Sequence, residues 1–315
     1  MTVSELEAPP GQTADGGRLR RRRGMPGRNR AALIFLLPFG ALFAVFFLLP
    51  IGYAIDESFY QVKRSGLGFG EPERVFSGIG NYLAVFQDDT FLTGLGRLLA
   101  FGIVQVPVML GLALLLALLL DGQAVRFARF FRLVYFLPYA VPGVIAAIVW
   151  SFLYTREISP LGFLGIDFLG DGVVIWSIGN IVTWTWTGFN MLVIYAALQA
   201  IPRDLYEAAS LDGAGAWRIA WSVKVPLIRP SLILTGVFSI IGTLQLFNEP
   251  TVLSGVTTAV SKSYTPLMWS VQVALDNNDY GQGSAIAIVL AAIAGGLSLA
   301  FLRLSAWLTT RGVRR

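Results

Sequence analysis

Residues 201–230 have the sequence IPRDLYEAASLDGAGAWRIAWSVKVPLIRP. Prolines stand near both ends of this segment, and two helix-favouring stretches, 205–210 and 216–223, flank an Asp212-Gly213 pair of the kind that forms turns. The pattern therefore predicts two short helices joined by a tight turn. Apolar side chains on the first helix would face water, which is typical of a surface that binds a partner protein. Packing of the loop against its own protein is the alternative.

Long apolar stretches lie on both sides of this 201–230 loop. Hydrophobic residues make up 55% of the 315 residues and charged residues 14%, whereas soluble domains have about 25% charged residues. A helix needs about 20 apolar residues to cross a bilayer. Six stretches meet this requirement: 31–52, 98–120, 133–154, 173–198, 231–253 and 284–308. The composition predicts an all-α integral membrane protein with six transmembrane helices, the third kinked at Pro138 and Pro142.

The N-terminal 30 residues are rich in Arg, Gly and Pro and have no apolar periodicity. This composition predicts a disordered basic tail, residues 1–30, before a membrane domain of residues 31–315. A signal peptide is the alternative interpretation of the first apolar stretch. That stretch is longer than a signal-peptide core and further spans follow, so we expect an uncleaved first helix.

The basic residues indicate the orientation of the spans, because loops rich in Lys and Arg stay in the cytoplasm. If the six spans are correct, 18 of the 24 Lys and Arg residues lie in the tail, after the second span, in the 201–230 loop and at the C-terminal end. The other six lie on the opposite side: Lys63, Arg64, Arg74, Arg97, Arg156 and Lys262. This asymmetry predicts that both termini are cytoplasmic, and it explains the net charge of +5 without nucleic-acid binding.

Several kinds of chemistry are excluded by residues that the sequence lacks. There is no Cys and no His, which excludes disulfides, thiolate metal sites and histidine general bases. A phosphate-binding loop needs a Gly-rich turn that ends in Lys-Ser or Lys-Thr. Lys262-Ser263 is the one such dipeptide, and it lacks the preceding Gly arrangement. We therefore expect no ATPase site, no cofactor and no metal in this chain.

The 201–230 loop resembles the EAA loop of ABC importer permeases. In that family Glu-Ala-Ala is followed by three residues and Gly, then by nine residues, an aliphatic residue, any residue, an aliphatic residue and Pro. This chain has Glu207-Ala208-Ala209, Gly213, Val223, Val225 and Pro226 at those positions. Residues 130–154 and 196–209 are also similar to carbohydrate permeases of the maltose type. Residues 155–172 depart from the family pattern, which leaves the identity of the solute and of a binding protein open.

The resemblance implies a type I ABC importer permease fold, in which the loop docks in a groove of a cytoplasmic ATPase subunit and transmits its motion. The residues that it assigns to coupling are Glu207, Ala208, Ala209, Asp212, Gly213 and Pro226. It further implies a second permease subunit, in a pair expected to be heterodimeric, two ATPase subunits that hold ATP and Mg, and an extracytoplasmic solute-binding protein. The location would be the plasma membrane of a prokaryote, and the cargo a di- or oligosaccharide.

Other functions remain open at this point. The cargo of such a permease is also compatible with glycerol-phosphate or another polar solute. An ion-coupled secondary transporter usually keeps acids deep in the membrane, and the deepest acid here is Glu249, near one end of its span. A membrane scaffold without transport activity is a third class. Neither of the last two classes explains the resemblance of the 201–230 loop.

Polar residues in the fourth and fifth spans are candidates for a solute path. Helical spacing places Asn180, Thr183, Thr187 and Asn190 within about 80° of one face. Amides, a carboxylate and an aromatic ring suit the binding of sugars, and the path candidates are Trp184, Asn190, Gln245, Asn248 and Glu249. The alternative is that these groups bond neighbouring helices, as polar residues commonly do in membrane bundles. Trp176, Trp186 and Trp269 are expected to be interfacial or lipid-facing anchors.

Overall fold

The computed structural model describes residues 26–64, 72–122, 127–156, 158–160 and 162–312. The chain divides into two units, Met1–Gly52 and Tyr53–Arg315. In the first unit, α1 (Pro26–Phe43) continues through a π-helical turn, Ala44–Leu48, into α2 (Leu49–Glu57), the end of which belongs to the second unit. The candidate span Ile34–Glu57 contains most of the predicted stretch 31–52. Residues 26–30 of the predicted tail are helical, and residues 1–25 lie outside the described residues.

The second unit is built mainly of long apolar helices. They are α4 (Asp89–Leu120), α7 (Val174–Gln199), α11 (Arg229–Leu244) with α12 (Asn248–Leu253), and α14 (Tyr280–Gly312). Together with the first unit, the described residues contain five helical segments long and apolar enough to span a membrane. A bent pair, α5 (Ala128–Phe136) and α6 (Gly143–Tyr154), makes a sixth if its two halves form one span. The mostly helical membrane architecture is thus confirmed.

The third predicted span is bent much more sharply than an ordinary proline kink. A 3-10 turn, Leu137–Ala140, follows α5, and the axes of the two halves differ by 95°. Val141 has extended backbone angles (ψ 126°), as expected for a residue before proline. Pro142 then stands at the N-cap of α6, where the absence of an N–H has little cost. The two prolines in the sequence predict the break but not its angle.

The second long helix begins nine residues before its predicted boundary. Asp88 caps α4, since its carboxylate accepts hydrogen bonds from the backbone N–H groups of Thr90 (2.8 Å) and Phe91 (3.2 Å). Trp269 donates its indole N–H to the other carboxylate oxygen of Asp88 (2.6 Å). Hydropathy places a helix end where the apolar run ends, whereas the capping residue sets the actual start. A short helix, α3 (Gly80–Gln87), precedes this cap.

A β-hairpin corrects the prediction of a purely helical protein. Strand β1 (Tyr60–Arg64) pairs antiparallel with β2 (Pro72–Phe76), with Tyr60 opposite Phe76. The Arg74 guanidinium stacks 3.7 Å from the centre of the Tyr60 ring. The same guanidinium bonds the carboxylates of Asp56 (2.8 Å) and Glu57 (2.9 Å). Strands this short carry too few alternating residues to be distinguished from a loop in the sequence.

The core of the second unit lies chiefly between α4 and α7. Leu98 and Phe101 of α4 and Ile178 and Ile181 of α7 are fully buried or nearly so. The side chain of Gln105, also on α4, reaches across the interface to α7. Its side-chain amide donates to the carbonyl oxygen of Gly179 (3.1 Å) and the hydroxyl of Thr183 (2.6 Å). Thr183 therefore bonds a neighbouring helix, which supports the alternative interpretation for this residue.

Short helices connect the long ones. The 201–230 loop contains α8 (Asp204–Leu211), α9 (Ala216–Ile219), a π-helical turn (Ala220–Lys224) and α10 (Val225–Leu227). Between α12 and α14 lie α13 (Pro266–Val271) and a further π-helical turn, Gln272–Asp276. The two short helices and turn that the sequence predicts in the 201–230 loop are present.

Candidate functional site

A cavity of about 270 Å³ lies between α4, α7, α11 and α12. We call it the interhelical cavity. Its polar lining consists of Asn190, Ser239, Thr243, Gln245, Asn248 and Glu249. Its larger apolar lining residues are Met109, Val182, Trp186, Phe189, Phe238, Leu246 and Phe247. Four of the five path candidates from the sequence therefore meet at one site.

A break in the fifth span brings its polar residues to this cavity. Helix α11 ends at Leu244, and Phe247 leaves the helical region (φ −138°, ψ −52°) before α12 begins. The prediction of one continuous helix over residues 231–253 is therefore wrong. The three side chains converge because the chain turns between the two helices. Glu249 is 6% exposed, whereas Gln245 and Asn248 are exposed.

The break in the fifth span lies against the break in the third. A Cβ atom at Gly143, the first residue of α6, would be 3.4 Å from the Glu249 carboxylate and 3.5 Å from the Asn248 amide nitrogen. The start of α6 and the start of α12 are therefore in contact. Irregular backbone within a membrane is tolerated where it is buried in protein or lines a polar cavity. The break in the fifth span satisfies this condition, because Gln245, Leu246 and Phe247 line the cavity.

Polar residues of α7 divide into two groups along the helix. Asn180 donates to the Tyr154 hydroxyl (2.9 Å), and Thr183 bonds Gln105, so both bond neighbouring helices. Asn190 lines the cavity and makes no hydrogen bond with another residue in the described part of the chain. The Thr187 hydroxyl, one turn earlier, is buried and also lacks a described partner. The C-terminal half of α7 thus supplies the free polar groups.

The aromatic wall of the cavity is formed by Trp186 and Phe189, and not by Trp184. The Trp184 ring packs edge-to-face on Trp150, with ring centres 6.0 Å apart. Trp186 and Phe189 pack around Tyr139, at 5.2 and 4.8 Å between ring centres. The assignment of Trp186 to an interfacial anchor overlooks its spacing. Trp186 is four residues before Asn190, on the same helical face, whereas Trp184 is six residues before it, on another.

The turn in the 201–230 loop is a Schellman motif. The backbone N–H of Ala214 donates to the carbonyl of Ala209 and that of Gly213 to the carbonyl of Ser210, both at 3.0 Å. Gly213 has a left-handed backbone conformation with φ +79°, which favours glycine because other residues are strained there. The motif ends α8 and reverses the chain toward α9. Asp212 occupies the C-cap position of α8.

Helix α8 presents one face to solvent. The exposed residues Asp204, Glu207, Ala208 and Leu211 lie on this face, which we call the α8 outer face. Leu211 is 89% exposed, and the side-chain carboxylate of Glu207 makes no ion pair or hydrogen bond with any residue that the structure describes. Ala209 and Tyr206, on the opposite side, are half-buried, as is Pro226 at the start of α10. The α8 outer face is thus free, within the described residues, to contact a partner, as the resemblance of the 201–230 loop implies.

An aromatic pair lies in the second half of the loop and is absent from the candidates chosen from the sequence. Trp217 is 73% and Trp221 47% exposed, and their rings meet edge-to-face at 5.6 Å. Their four-residue spacing could have indicated a common helical face. The spacing of the EAA loop, from which the coupling candidates come, assigns no role to either tryptophan.

Comparisons with known proteins place the chain in a family. The family model described as "Binding-protein-dependent transport system inner membrane component" matches residues 109–311. The chain is 34% identical over 229 residues to the lactose transport system permease protein LacF of Rhizobium radiobacter, covering 69% of this chain and 73% of that protein. It is 31% identical over 311 residues to the diacetylchitobiose uptake system permease protein NgcF of Streptomyces coelicolor, covering 93% and 87%.

A solved structure shows the same fold. The chain matches one chain of a bacterial ABC transporter involved in the import of the acidic polysaccharide alginate, with a TM-score of 0.74. The match covers 90% of this chain and 97% of that chain at 21% sequence identity. This is the fold that the resemblance of the 201–230 loop implies.

Proposed function

Because the chain belongs to the family of binding-protein-dependent transport system inner membrane components, we propose that it is the membrane-spanning subunit of an ATP-driven importer for a di- or oligosaccharide. The observation that carries the choice of cargo is the interhelical cavity, where amides, a carboxylate and aromatic rings converge. LacF and NgcF, both named for disaccharide transport, support the same cargo class.

The lining of the cavity suits the two faces of a sugar. Hydroxyl groups can exchange hydrogen bonds with Asn190, Gln245 and Asn248, none of which uses its side-chain amide within the described structure. Trp186 and Phe189 offer aromatic faces to the apolar C–H face of a sugar ring. A few convergent polar groups on an otherwise apolar wall give orientation without strong retention, as transport requires.

The charge of the cavity favours a neutral solute over glycerol-phosphate. Its lining contains Glu249 and no Lys or Arg among the described residues. A phosphate ester would therefore meet a carboxylate without a compensating cation, and like charges at close range are unfavourable. Transport of glycerol-phosphate remains the second candidate function of this chain, since a relative, UgpA of Yersinia pseudotuberculosis, is named for that solute.

Uptake by cells tests the proposed function directly. We expect a strain that lacks this gene to lose ATP-dependent uptake of one sugar from a panel that includes lactose and diacetylchitobiose, and the restored gene to recover it. The chain should also co-purify with ATPase subunits. Uptake that persists in ATP-depleted cells and follows an ion gradient would instead indicate a secondary transporter.

Asn248→Ala is expected to raise the solute concentration for half-maximal uptake about tenfold, corresponding to about 1.4 kcal/mol. The amide is exposed to the cavity and bonds no other described residue, so stability should change little. Asn180→Ala is the matched control. Its amide bonds Tyr154, and its loss should lower stability by about 1 kcal/mol without changing half-saturation. Unchanged uptake kinetics across alanine substitutions at Gln245, Asn248 and Glu249 would refute the assignment of the cavity.

Both termini are proposed to be cytoplasmic, in the plasma membrane of a prokaryote. A single Cys introduced at Arg22 should be protected from an impermeant thiol reagent in intact cells, whereas a Cys at the exposed Lys262 should be labelled. The chain has no native Cys, so labelling has no background from this subunit. The opposite labelling pattern would reverse the proposed orientation.

The proposed assembly contains this permease with a second, different permease subunit. Two cytoplasmic ATPase subunits would hold ATP and Mg and contact the α8 outer face. An extracytoplasmic solute-binding protein would deliver the sugar on the other side. A solved bacterial alginate ABC transporter of the same fold is in complex with an alginate pentasaccharide-bound periplasmic protein, which supports the last of these partners.

A further inference from the structure

A buried ion pair joins the 201–230 loop to the end of α4. The Lys224 ammonium contacts the Asp121 carboxylate, across 103 residues of sequence. The side chain of Asp121 is 5% exposed and that of Lys224 14%. The ion pairs of Arg74 differ, because that guanidinium is 47% exposed. Among the described residues, Asp121–Lys224 is the ion pair in which both partners are largely shielded from water.

The position of Asp121 is unfavourable for a carboxylate without a partner. Asp121 is the C-cap residue of α4, where the partial negative charge of the helix end repels an acid. Two contacts offset this repulsion. Besides Lys224, Gln199 donates its side-chain amide to the second carboxylate oxygen (2.6 Å). Gln199 is the last residue of α7. One carboxylate thus joins the ends of two long helices to the loop.

Tyr206 extends this network to α8. The Lys224 ammonium lies 4.8 Å from the centre of the Tyr206 ring, in cation–π contact. Burial, and then the negative charge of Asp121, raise the pKa of the Tyr206 hydroxyl. Tyr206 belongs to α8, on the side opposite the α8 outer face. Lys224 therefore contacts both the helix that presents Glu207 and the acid that ends α4.

We infer that Asp121, Lys224 and Tyr206 form a strut that fixes α8 to the ends of α4 and α7, so that α8 and the bundle move as one body. The inference rests on the proposed function, in which an ATPase subunit moves α8. Lys224 and Asp121 are positioning residues, since neither belongs to the α8 outer face. Without the ion pair, the connections of α8 that remain in the described residues are the chain on either side of it and one long hydrogen bond, from the Tyr206 hydroxyl to the carbonyl of Leu198 on α7 (3.5 Å).

A distance within the chain tests the strut without any solute. Spin labels at Leu119→Cys, on an exposed position of α4, and Ser210→Cys, on the Tyr206 side of α8, report the position of α8 relative to the bundle. The measurement uses the assembled complex with cysteine-free partner subunits, with and without ATP. We expect one narrow distance, unchanged by ATP. With Lys224→Met, we expect the distance to broaden and to change on addition of ATP.

Two further variants separate positioning from folding. Arg218→Met removes an exposed cation of the same loop that has no place in the network, and should preserve the fixed distance. Lys224→Arg keeps a cation that can bond Asp121 and stack on the Tyr206 ring, and should also preserve it. A Lys224→Met complex with the same narrow, ATP-independent distance would overturn the strut, as would loss of ATPase subunits from that complex or a broadened distance in the Lys224→Arg complex. A wild-type complex that binds no ATPase subunit would instead contradict the proposed function.

Discussion

Glu207→Lys is expected to abolish uptake while the chain still inserts in the membrane. Glu207 is exposed on the α8 outer face and has no partner among the described residues, so its replacement should leave the fold of the permease intact. In the proposed assembly the carboxylate faces a groove of the ATPase subunit. Loss of one charge-assisted contact would remove about 1.5–3 kcal/mol, and the introduced cation would add repulsion from the basic partner of that contact.

Two further variants test why Glu207→Lys loses uptake. Glu207→Gln removes the charge alone and should retain part of the uptake. Glu73→Lys, at an exposed acid of β2, changes the net charge of the chain by the same amount far from the loop in sequence, and should leave uptake unchanged. Uptake and co-purification of ATPase subunits are the two measurements. Normal values of both in Glu207→Lys would exclude a role for the α8 outer face.

Gly188→Ala is expected to prevent correct packing of the bundle. A Cβ atom at Gly188 on α7 would overlap the carbonyl oxygen of Tyr135 and lie 2.7 Å from its carbonyl carbon. These are backbone atoms of α5, so no side-chain rotation can relieve the clash. Overpacking of a core costs about 1–3 kcal/mol of stability and occasionally more. Because this overlap is with backbone, we expect the loss of stability to reach or exceed the upper value. Thermal unfolding of the purified complex measures the loss.

Gly111→Ala is the matched control for this helix-interior substitution. A Cβ at Gly111 on α4 would meet no atom within 4 Å, so the gain in helix propensity, up to about 1 kcal/mol, should not be offset by strain. Gly188→Ala should also alter the cavity, because Phe189 and Asn190 follow directly. Equal stability of the two alanine variants would show that α5 is not held against α7 at this point.

Much of the membrane architecture follows from the sequence, because apolar runs of sufficient length have few other stable environments. The family likewise follows from one loop, and the comparisons confirm it. The helix boundaries differ from those that hydropathy predicts. The Asp88 cap starts α4 before the predicted span, and the chain turns at Phe247 inside the predicted span 231–253. Hydropathy does not register either feature.

The candidate site could be predicted by residue type but only partly by position. Gln245, Asn248 and Glu249 do meet at one cavity, although through a helix break and not along a helical face. Trp186 could have been preferred to Trp184 from its spacing to Asn190 alone. The contact of Lys224 with Asp121 could not have been found, since two residues so far apart in sequence are brought together only by the packed bundle.

The bend between α5 and α6 has a consequence for how the protein enters the membrane during synthesis. The two halves have 9 and 12 residues, and each is well short of the roughly 20 apolar residues that insert as a stable span. Neither half alone is long enough to insert as a stable span, so we expect residues 128–154 to enter the membrane together if they form one span. The bent form would then be reached only after α7 and α12, against which the two halves pack, have been synthesised. We therefore expect the final shape of this segment to be acquired late in biogenesis.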